Sequence, residues 1–196
     1  MTDEQLMRQF ADGNASALET LTYRYHAAIH KYIHRMMQSR VLAEDLTQEC
    51  FVRVMLSARE GRYPQSFRPW LYKIATNLCR DHWRRSHVWA KAVPDLERNA
   101  AAASDNVSQI YEKQEERALV VQALNQLSAI RKEVIILRFY QELRLDEISD
   151  VLDIPLSTVK SRLYEAIRVL NGLLSAGGIK GETERRAAAR KGGREI

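Results

Sequence analysis

The 196 residues carry a net charge of +5, with 45% hydrophobic and 28% charged residues. This balance is typical of a globular chain with a sizeable core, and with only two cysteines it excludes a disulfide-stapled scaffold. No apolar run approaches the length of a membrane span, so we expect no membrane insertion. The opening Met-Thr-Asp-Glu-Gln lacks the basic and apolar segments of a secretion signal, and we expect a cytoplasmic protein.

Apolar residues recur at helical spacing in two segments at the start of the chain. Thr2 or Asp3 can cap a short first helix that ends near Gly13, and Asn14 can cap a long second helix over 15–37. The second helix carries His26, His30 and His34 on one stripe, a spacing that could hold zinc. No carboxylate or thiol joins these histidines at ligand spacing. We therefore expect a solvated or partner-facing stripe and no metal or other cofactor.

The third predicted helix, over 42–57, has an acidic and polar outer face. Leu46, Cys50 and Val54 form its inner face, and Cys50, like Cys79, is expected to be a small buried hydrophobe in a reducing compartment. The outer face includes Glu44, Asp45, Gln48 and Glu49. Such a face suits a protein partner of complementary charge and could not bind phosphate.

The fourth predicted helix, over 67–87, combines cations with aromatic rings. Pro69 suits its first turn, and Leu71, Ile74 and Leu78 mark a buried face. Between residues 68 and 91, six lysines and arginines stand against one acid, Asp81. Cations contact phosphates and ring faces stack on unpaired bases, so this helix indicates a nucleic-acid surface. Its exposed side is predicted to carry Arg68, Tyr72, Lys73, Asn77, Arg80, Arg84 and Arg85, interleaved with His82 and Trp83.

Helical periodicity disappears from about residue 88 to 107, which predicts a flexible connector. Further helices are then predicted over 108–126, 129–140, 145–152 and 157–174. The tail, 175–196, is rich in Gly, Ala and Arg without an apolar face, and is predicted to be disordered and basic. No strand-like alternation is visible. The sequence predicts an all-α fold of two small helical domains, 1–88 and 108–174, joined by a flexible linker over 89–107.

The segment 145–163 has the pattern of a helix-turn-helix. Residues 153–155 make the turn, Ile154 plugs the core between the helices, and Ser157 or Thr158 caps the second helix. A recognition helix directs its N-terminal side chains into the major groove of DNA. The side chains in that position are Ser157, Thr158, Lys160, Ser161, Arg162 and Tyr164.

Taken together, these segments resemble the bacterial RNA polymerase sigma factors of the extracytoplasmic-function (ECF) subfamily. Segment 43–51 resembles the family's region 2.2, 67–85 resembles regions 2.3 to 2.4, and 134–170 resembles region 4. The resemblance covers about residues 5–172 in the family's order and spacing.

The resemblance implies a promoter-recognition subunit without enzymatic activity or catalytic residues. Its partners would be core RNA polymerase (the β′ clamp helices and the β flap), double- and single-stranded promoter DNA, and an anti-sigma factor. Glu44, Asp45, Gln48 and Glu49 would dock on polymerase, and the helix-turn-helix residues above would read the -35 element. The -10 element would be opened and read by Tyr63, Phe67, Arg68, Trp70, Tyr72, Lys73, Asn77, Arg80, Trp83 and Arg84.

Two alternatives remain on the residues alone. A stand-alone helix-turn-helix regulator would bind duplex DNA without polymerase, but it needs neither the acidic helix nor the aromatic one. A small metal-dependent enzyme could be built on the histidine stripe, although no phosphate-binding Gly-rich loop or nucleophile motif accompanies it.

Overall fold

The computed structural model describes residues 1–62, 64–92 and 111–176, and within these ranges all regular structure is helical. This confirms the predicted all-α class. The elements are α1 (Asp3–Ala11), α2 (Ala15–Met37), α3 (Arg40–Arg59), α4 (Phe67–Ala92), α5 (Tyr111–Gln126), α6 (Ala129–Ile135), α7 (Leu145–Leu152) and α8 (Leu156–Ala176). A π-helical turn, Ile136–Tyr140, follows α6 directly.

Side-chain caps fix where the first three helices begin. Thr2 accepts the Gln5 N–H at 3.3 Å while the Gln5 side chain accepts the Thr2 N–H at 2.9 Å, which closes a capping box on α1. Asn14 accepts the Ser16 N–H at 3.2 Å at the start of α2. Ser39 caps α3 by accepting the Leu42 N–H at 3.3 Å, so this helix begins two residues before the predicted boundary.

The predicted connector and tail need correction at their edges. Helix α4 continues to Ala92, and α8 continues to Ala176. The rest of the predicted connector, 93–107, and the tail from 177 lie outside the described residues, as does Tyr63.

Helices α1 to α4 form an N-terminal unit around one core. Met7 of α1, Leu21 and Ile33 of α2, Val54 of α3 and Leu71 of α4 are fully buried together. The same core contains the two free cysteines, Cys50 and Cys79, as predicted. Burial raises the pKa of each thiol to about 12, so both behave as apolar side chains at neutral pH.

Helices α5 to α8 form a C-terminal unit built on the predicted helix-turn-helix. Ile148 and Leu152 of α7 pack with Val159 and Leu163 of α8, and Ile154 lies against the same core. The chain turns at Asp153, which takes the left-handed conformation with φ of 57°. Helix α8 begins at Leu156, so the predicted caps Ser157 and Thr158 lie in its first turn instead.

The two units pack against each other, with α4 against α7 as the principal contact and α2 against α6 and the π-helical turn. At the edge of this interface the guanidinium of Arg35 lies 4.3 Å from the centre of the Tyr140 ring. Gln38 at the end of α2 donates to Asn125 of α5. None of the helices described here has the length and apolar character needed to cross a bilayer.

Candidate nucleic-acid interface

The predicted binding residues of α4 fall into four groups in the structure. Asn77 and Arg84 are exposed, and Trp70 and Trp83 are half-buried against the core of the N-terminal unit. Phe67 and Tyr72 are buried, with exposed fractions of 0% and 1%. The remaining cations, Arg68, Lys73 and Arg80, contact the C-terminal unit.

Phe67 is a core residue, which corrects its predicted position on a DNA-binding surface. Its ring centre lies 5.5 Å from that of Tyr25 and 5.9 Å from that of Trp70. Its backbone N–H donates to Glu4 at 3.0 Å, and this hydrogen bond lowers the pKa of the Glu4 carboxyl. Phe67 therefore anchors the start of α4 to α1 and α2.

Tyr72 also departs from the predicted exposed face, because the C-terminal unit covers it. Its ring meets that of Tyr32 edge to face, with centres 5.4 Å apart, and its hydroxyl donates to Gln141 Oε1 at 2.5 Å. Burial raises the pKa of the Tyr72 phenol to about 12, so it remains a neutral donor. Helical periodicity places Tyr72 on the cationic side of α4 but cannot reveal a neighbouring unit.

Three cations of α4 have partners in the C-terminal unit. Arg80 forms a two-pronged ion pair with Glu133 of α6, with Nε and Nη2 2.9 and 2.7 Å from the two carboxylate oxygens. This hydrogen bond raises the pKa of Arg80 further above its already high value. Lys73 Nζ lies 3.8 Å from Asp153 Oδ1, and Arg68 donates to the backbone carbonyl of Gln141.

The N-terminal part of α8 presents its predicted contact residues to solvent. Ser157, Lys160 and Ser161 are exposed, and Tyr164 has an exposed fraction of 72%. Thr158 and Arg162 are half-buried beside them. The exposed end of a recognition helix with these hydroxyl and cationic groups can contact phosphates and base edges.

The outer face of α3 contains the four predicted polar residues and an apolar stripe that the sequence reasoning missed. Glu44, Asp45, Gln48 and Glu49 are exposed, and the two glutamates form ion pairs with Arg40 and Arg53 at 3.2 and 2.9 Å. The stripe consists of Val41, Val52 and Leu56, with exposed fractions of 66%, 43% and 48%. Together with Asp45 and Gln48, these three residues are spaced three or four positions apart and therefore share one face of the helix. The apolar residues of the inner face obscured this pattern in the sequence.

The three histidines of α2 lie along one face as predicted. Their rings stack in sequence, with centres 6.4 Å apart for His26 and His30 and 6.3 Å apart for His30 and His34. His26 also stacks on Phe51 of α3 at 6.1 Å. Within the described ranges, no group of three or more His, Cys, Asp or Glu side chains is arranged to hold a metal ion.

The chain is similar to known proteins in both of its units. Residues 21–88 match the family model of Sigma-70 region 2, and residues 117–170 match that of Sigma-70, region 4. The RNA polymerase sigma factor CarQ of Myxococcus xanthus is 33% identical over 175 residues, which cover 86% of this chain and 97% of CarQ. The ECF sigma factor SigW of Bacillus subtilis is 29% identical over 185 residues, which cover 86% of this chain and 96% of SigW.

Two solved structures share the fold. CnrH, solved in complex with the cytosolic domain of CnrY, aligns with a TM-score of 0.67 at 24% identity, covering 89% of this chain and 97% of CnrH. RpoE, in complex with the anti-sigma factor NepR from Bartonella quintana, aligns with a TM-score of 0.68 at 20% identity, covering 80% of this chain and 96% of RpoE. Both region matches, the identity to CarQ over nearly its whole length, and the surfaces of α3, α4 and α8 lead to one conclusion: this chain belongs to the ECF family of RNA polymerase sigma factors.

Proposed function

We propose that this sigma factor docks on core RNA polymerase through α3, captures the -10 element with α4 and reads the -35 element with α8. One observation carries the proposal. A single chain presents, in order, a polar and apolar docking face, an aromatic and cationic helix, and a helix-turn-helix whose recognition helix is exposed. A regulator that bound only duplex DNA would need the third surface alone.

The docking face of α3 is proposed to contact the β′ clamp helices. Asp45 and Gln48 would lie between Val41 and Val52 on this face, and Glu44 and Glu49 would lie at its margins. Protein interfaces combine apolar contacts with polar groups, and charges at the margin orient the partner.

Helix α4 is proposed to hold the non-template strand as the duplex opens. Unstacking costs a few kcal/mol per base step, so the bases must be captured as they emerge. The amide of Asn77 can read a base edge, and Trp70 and Trp83 can supply ring faces for stacking. Tyr72 would add a ring face only where the C-terminal unit no longer covers it. Arg68, Lys73, Arg80 and Arg84 would contact the strand's phosphates.

Helix α8 is proposed to enter the major groove at the -35 element. The positive end of its dipole favours phosphate at its N-terminus, where Ser157 and Thr158 can donate. Lys160, Ser161, Arg162 and Tyr164 follow within two turns and would contact bases and phosphates.

We also propose an organisation and partners that rest on the family. The division into domains 1–88 and 108–174 is supported by the two family matches at 21–88 and 117–170. CnrH and RpoE were solved with a partner protein, for RpoE an anti-sigma factor, and an anti-sigma factor is proposed here too. Sigma factors are initiation factors without enzymatic activity, and we propose that this chain acts with polymerase in the cytoplasm.

Run-off transcription with reconstituted holoenzyme tests the proposal. The purified chain is mixed with core polymerase, and transcription from genomic fragments is mapped at its start sites. We expect transcripts that require the chain and share two upstream elements about two helical turns apart. Failure to co-purify with core polymerase at low salt would support the stand-alone regulator and contradict the proposal.

A further inference from the structure

The ion pair between the two units engages Arg80, a cation that α4 would otherwise offer to a DNA phosphate. A guanidinium fork fits a carboxylate or a phosphate with the same two-pronged geometry. In the structure Glu133 takes both prongs of Arg80, and Asp153 lies beside Lys73. The C-terminal unit thus places carboxylates where the proposed function requires phosphates.

Contact between the two units buries residues that DNA would have to reach, so this side of α4 cannot bind DNA while the contact persists. Tyr72, Gln141 and Glu133 have exposed fractions of 1%, 6% and 2%, and α7 is the element of the C-terminal unit that packs most extensively against α4. A strand stacked on Tyr72 would have to displace Gln141, which accepts the phenol hydrogen. Asn77 and Arg84 remain exposed at the margin of the covered surface.

The interface nevertheless combines polar bonds and an open cleft with a hydrophobic core that runs through both units, and its polar part permits separation. Its bonds join charged and amide groups, and an open cleft of about 380 Å³ remains between α4 and the helix-turn-helix. The cleft is lined by Lys73, Ser149, Asp150, Asp153, Ile154 and Pro155. A buried ion pair loses most of its attraction to desolvation, and polar interfaces between domains commonly open.

We propose that the C-terminal unit autoinhibits this sigma factor by covering the -10-binding side of α4, with Glu133 as the latch on Arg80. This inference rests on the proposed function of α4. In the free chain, only open molecules would bind single-stranded DNA, so the apparent affinity would fall in proportion to the fraction of molecules that are open. Core polymerase, by engaging both units apart, would draw the equilibrium to the open state.

Distances between spin labels in the full-length chain test the latch directly. Labels are attached at Thr20→Cys on α2 and Arg168→Cys on α8, both exposed positions away from the interface. The native cysteines are buried and their raised pKa keeps them unreactive. We expect one short distance in the wild type and at least a tenfold larger population of long distances in Glu133→Gln.

Two further variants separate the latch from a general loss of structure. Glu165→Gln removes an exposed carboxylate that pairs with Arg131 within the C-terminal unit, and it should leave the distances unchanged. The charge swap Arg80→Glu with Glu133→Arg should restore the short distance. If Glu133→Gln loses helical circular dichroism, Gln141→Ala, which deletes the acceptor of Tyr72, provides the same comparison.

Binding of a fluorescent single-stranded oligonucleotide of mixed sequence, about 20 nucleotides long, gives the functional readout. Without polymerase, Glu133→Gln should bind it about tenfold more tightly than wild type, and Glu165→Gln should not. A wild-type distance distribution as broad as that of Glu133→Gln, or equal affinities for the two, would overturn the autoinhibition. Loss of run-off transcription in the wild type would instead overturn the proposed function, because the distance measurement does not depend on polymerase.

Discussion

Asn77 is the exposed base-reading candidate of α4, one helical turn beyond Lys73. Its amide can donate and accept together at a base edge, a contact worth about 1–3 kcal/mol. We expect Asn77→Ala to lower transcription from cognate promoters about tenfold or more, measured by run-off assay. Asn171→Ala, an exposed asparagine on α8, is the matched control. Loss of polymerase binding in Asn77→Ala would contradict the assignment.

Lys132 gives the folded chain a pH dependence above neutrality. It is buried beside Asn125, and its ammonium group donates a hydrogen bond to Asn125 Oδ1 at 3.1 Å. Desolvation lowers the pKa of Lys132 from 10.5 to about 8. Between these values the unfolded chain binds more protons than the folded chain, so this residue makes the free energy of unfolding rise with pH. Below about pH 8 Lys132 is protonated in both the folded and the unfolded chain, so the folded chain bears the full desolvation cost of the buried ammonium.

We therefore expect Lys132→Met to stabilise the chain at pH 7 by about 1–3 kcal/mol, measured by urea unfolding. The gain should shrink as the pH rises from 8 towards 10. Cys50 and Cys79 act in the opposite direction above pH 9, because their pKa values are raised to about 12 in the fold. The difference between wild type and variant isolates Lys132. If the difference in free energy of unfolding between wild type and Lys132→Met does not vary with pH, Lys132 is not a buried cation in the folded chain.

At the scale of elements, the apolar stripe of α3 gives a sharper test of docking than its carboxylates. Two of those carboxylates already pair with arginines of the same helix, and exposed pairs contribute little. Leu56→Asp places a charge on the exposed stripe and should weaken binding to core polymerase by about 2 kcal/mol or more. Val121→Asp, the same kind of change at an exposed position of α5, is the control. Equal affinities in a pull-down titration would remove the stripe from the docking face.

The recognition helix supports a prediction on Arg162. If this guanidinium contacts a base in two places, Arg162→Ala should weaken binding to a duplex carrying the mapped upstream element by about 1–3 kcal/mol. Arg168→Ala, further along α8, should have little effect in the same anisotropy titration. An unchanged affinity in Arg162→Ala would transfer the base contact to Lys160 or Ser161.

The presence and order of the helices could be predicted because local signals, such as caps and turns, agree with the fold. Thr2 and Asn14 cap their helices by bonds within three residues, and α7 has its predicted bounds because the turn at Asp153 is local too. The burial of Phe67 and Tyr72 was not predictable. Each is fixed by residues distant in sequence, Tyr25 for Phe67 and Gln141 for Tyr72. A helical wheel of α4 alone contains neither contact.

At the scale of the whole molecule, the sequence predicts two units and three binding surfaces but not how the two units pack together. Three cations that favour DNA binding in α4, Arg68, Lys73 and Arg80, also bond to the C-terminal unit, so composition cannot distinguish the two uses. A local surplus of positive charge attracts carboxylates of the same chain as readily as phosphates. Only the position of Glu133 relative to Arg80 shows which partner is present.

The packing of the two units predicts how the free chain unfolds. When Arg80–Glu133 and Tyr72–Gln141 join the units, unfolding either unit removes contacts from the other, and calorimetry should record one cooperative transition. In Glu133→Gln the units should separate first and melt in two transitions. The C-terminal unit, as a small domain, should lose about 4–8 °C for each kcal/mol of lost interface. Glu165→Gln should keep the single transition. Two transitions in the wild type at neutral pH would show that the units are energetically independent, and the closed state would then have no measurable stability.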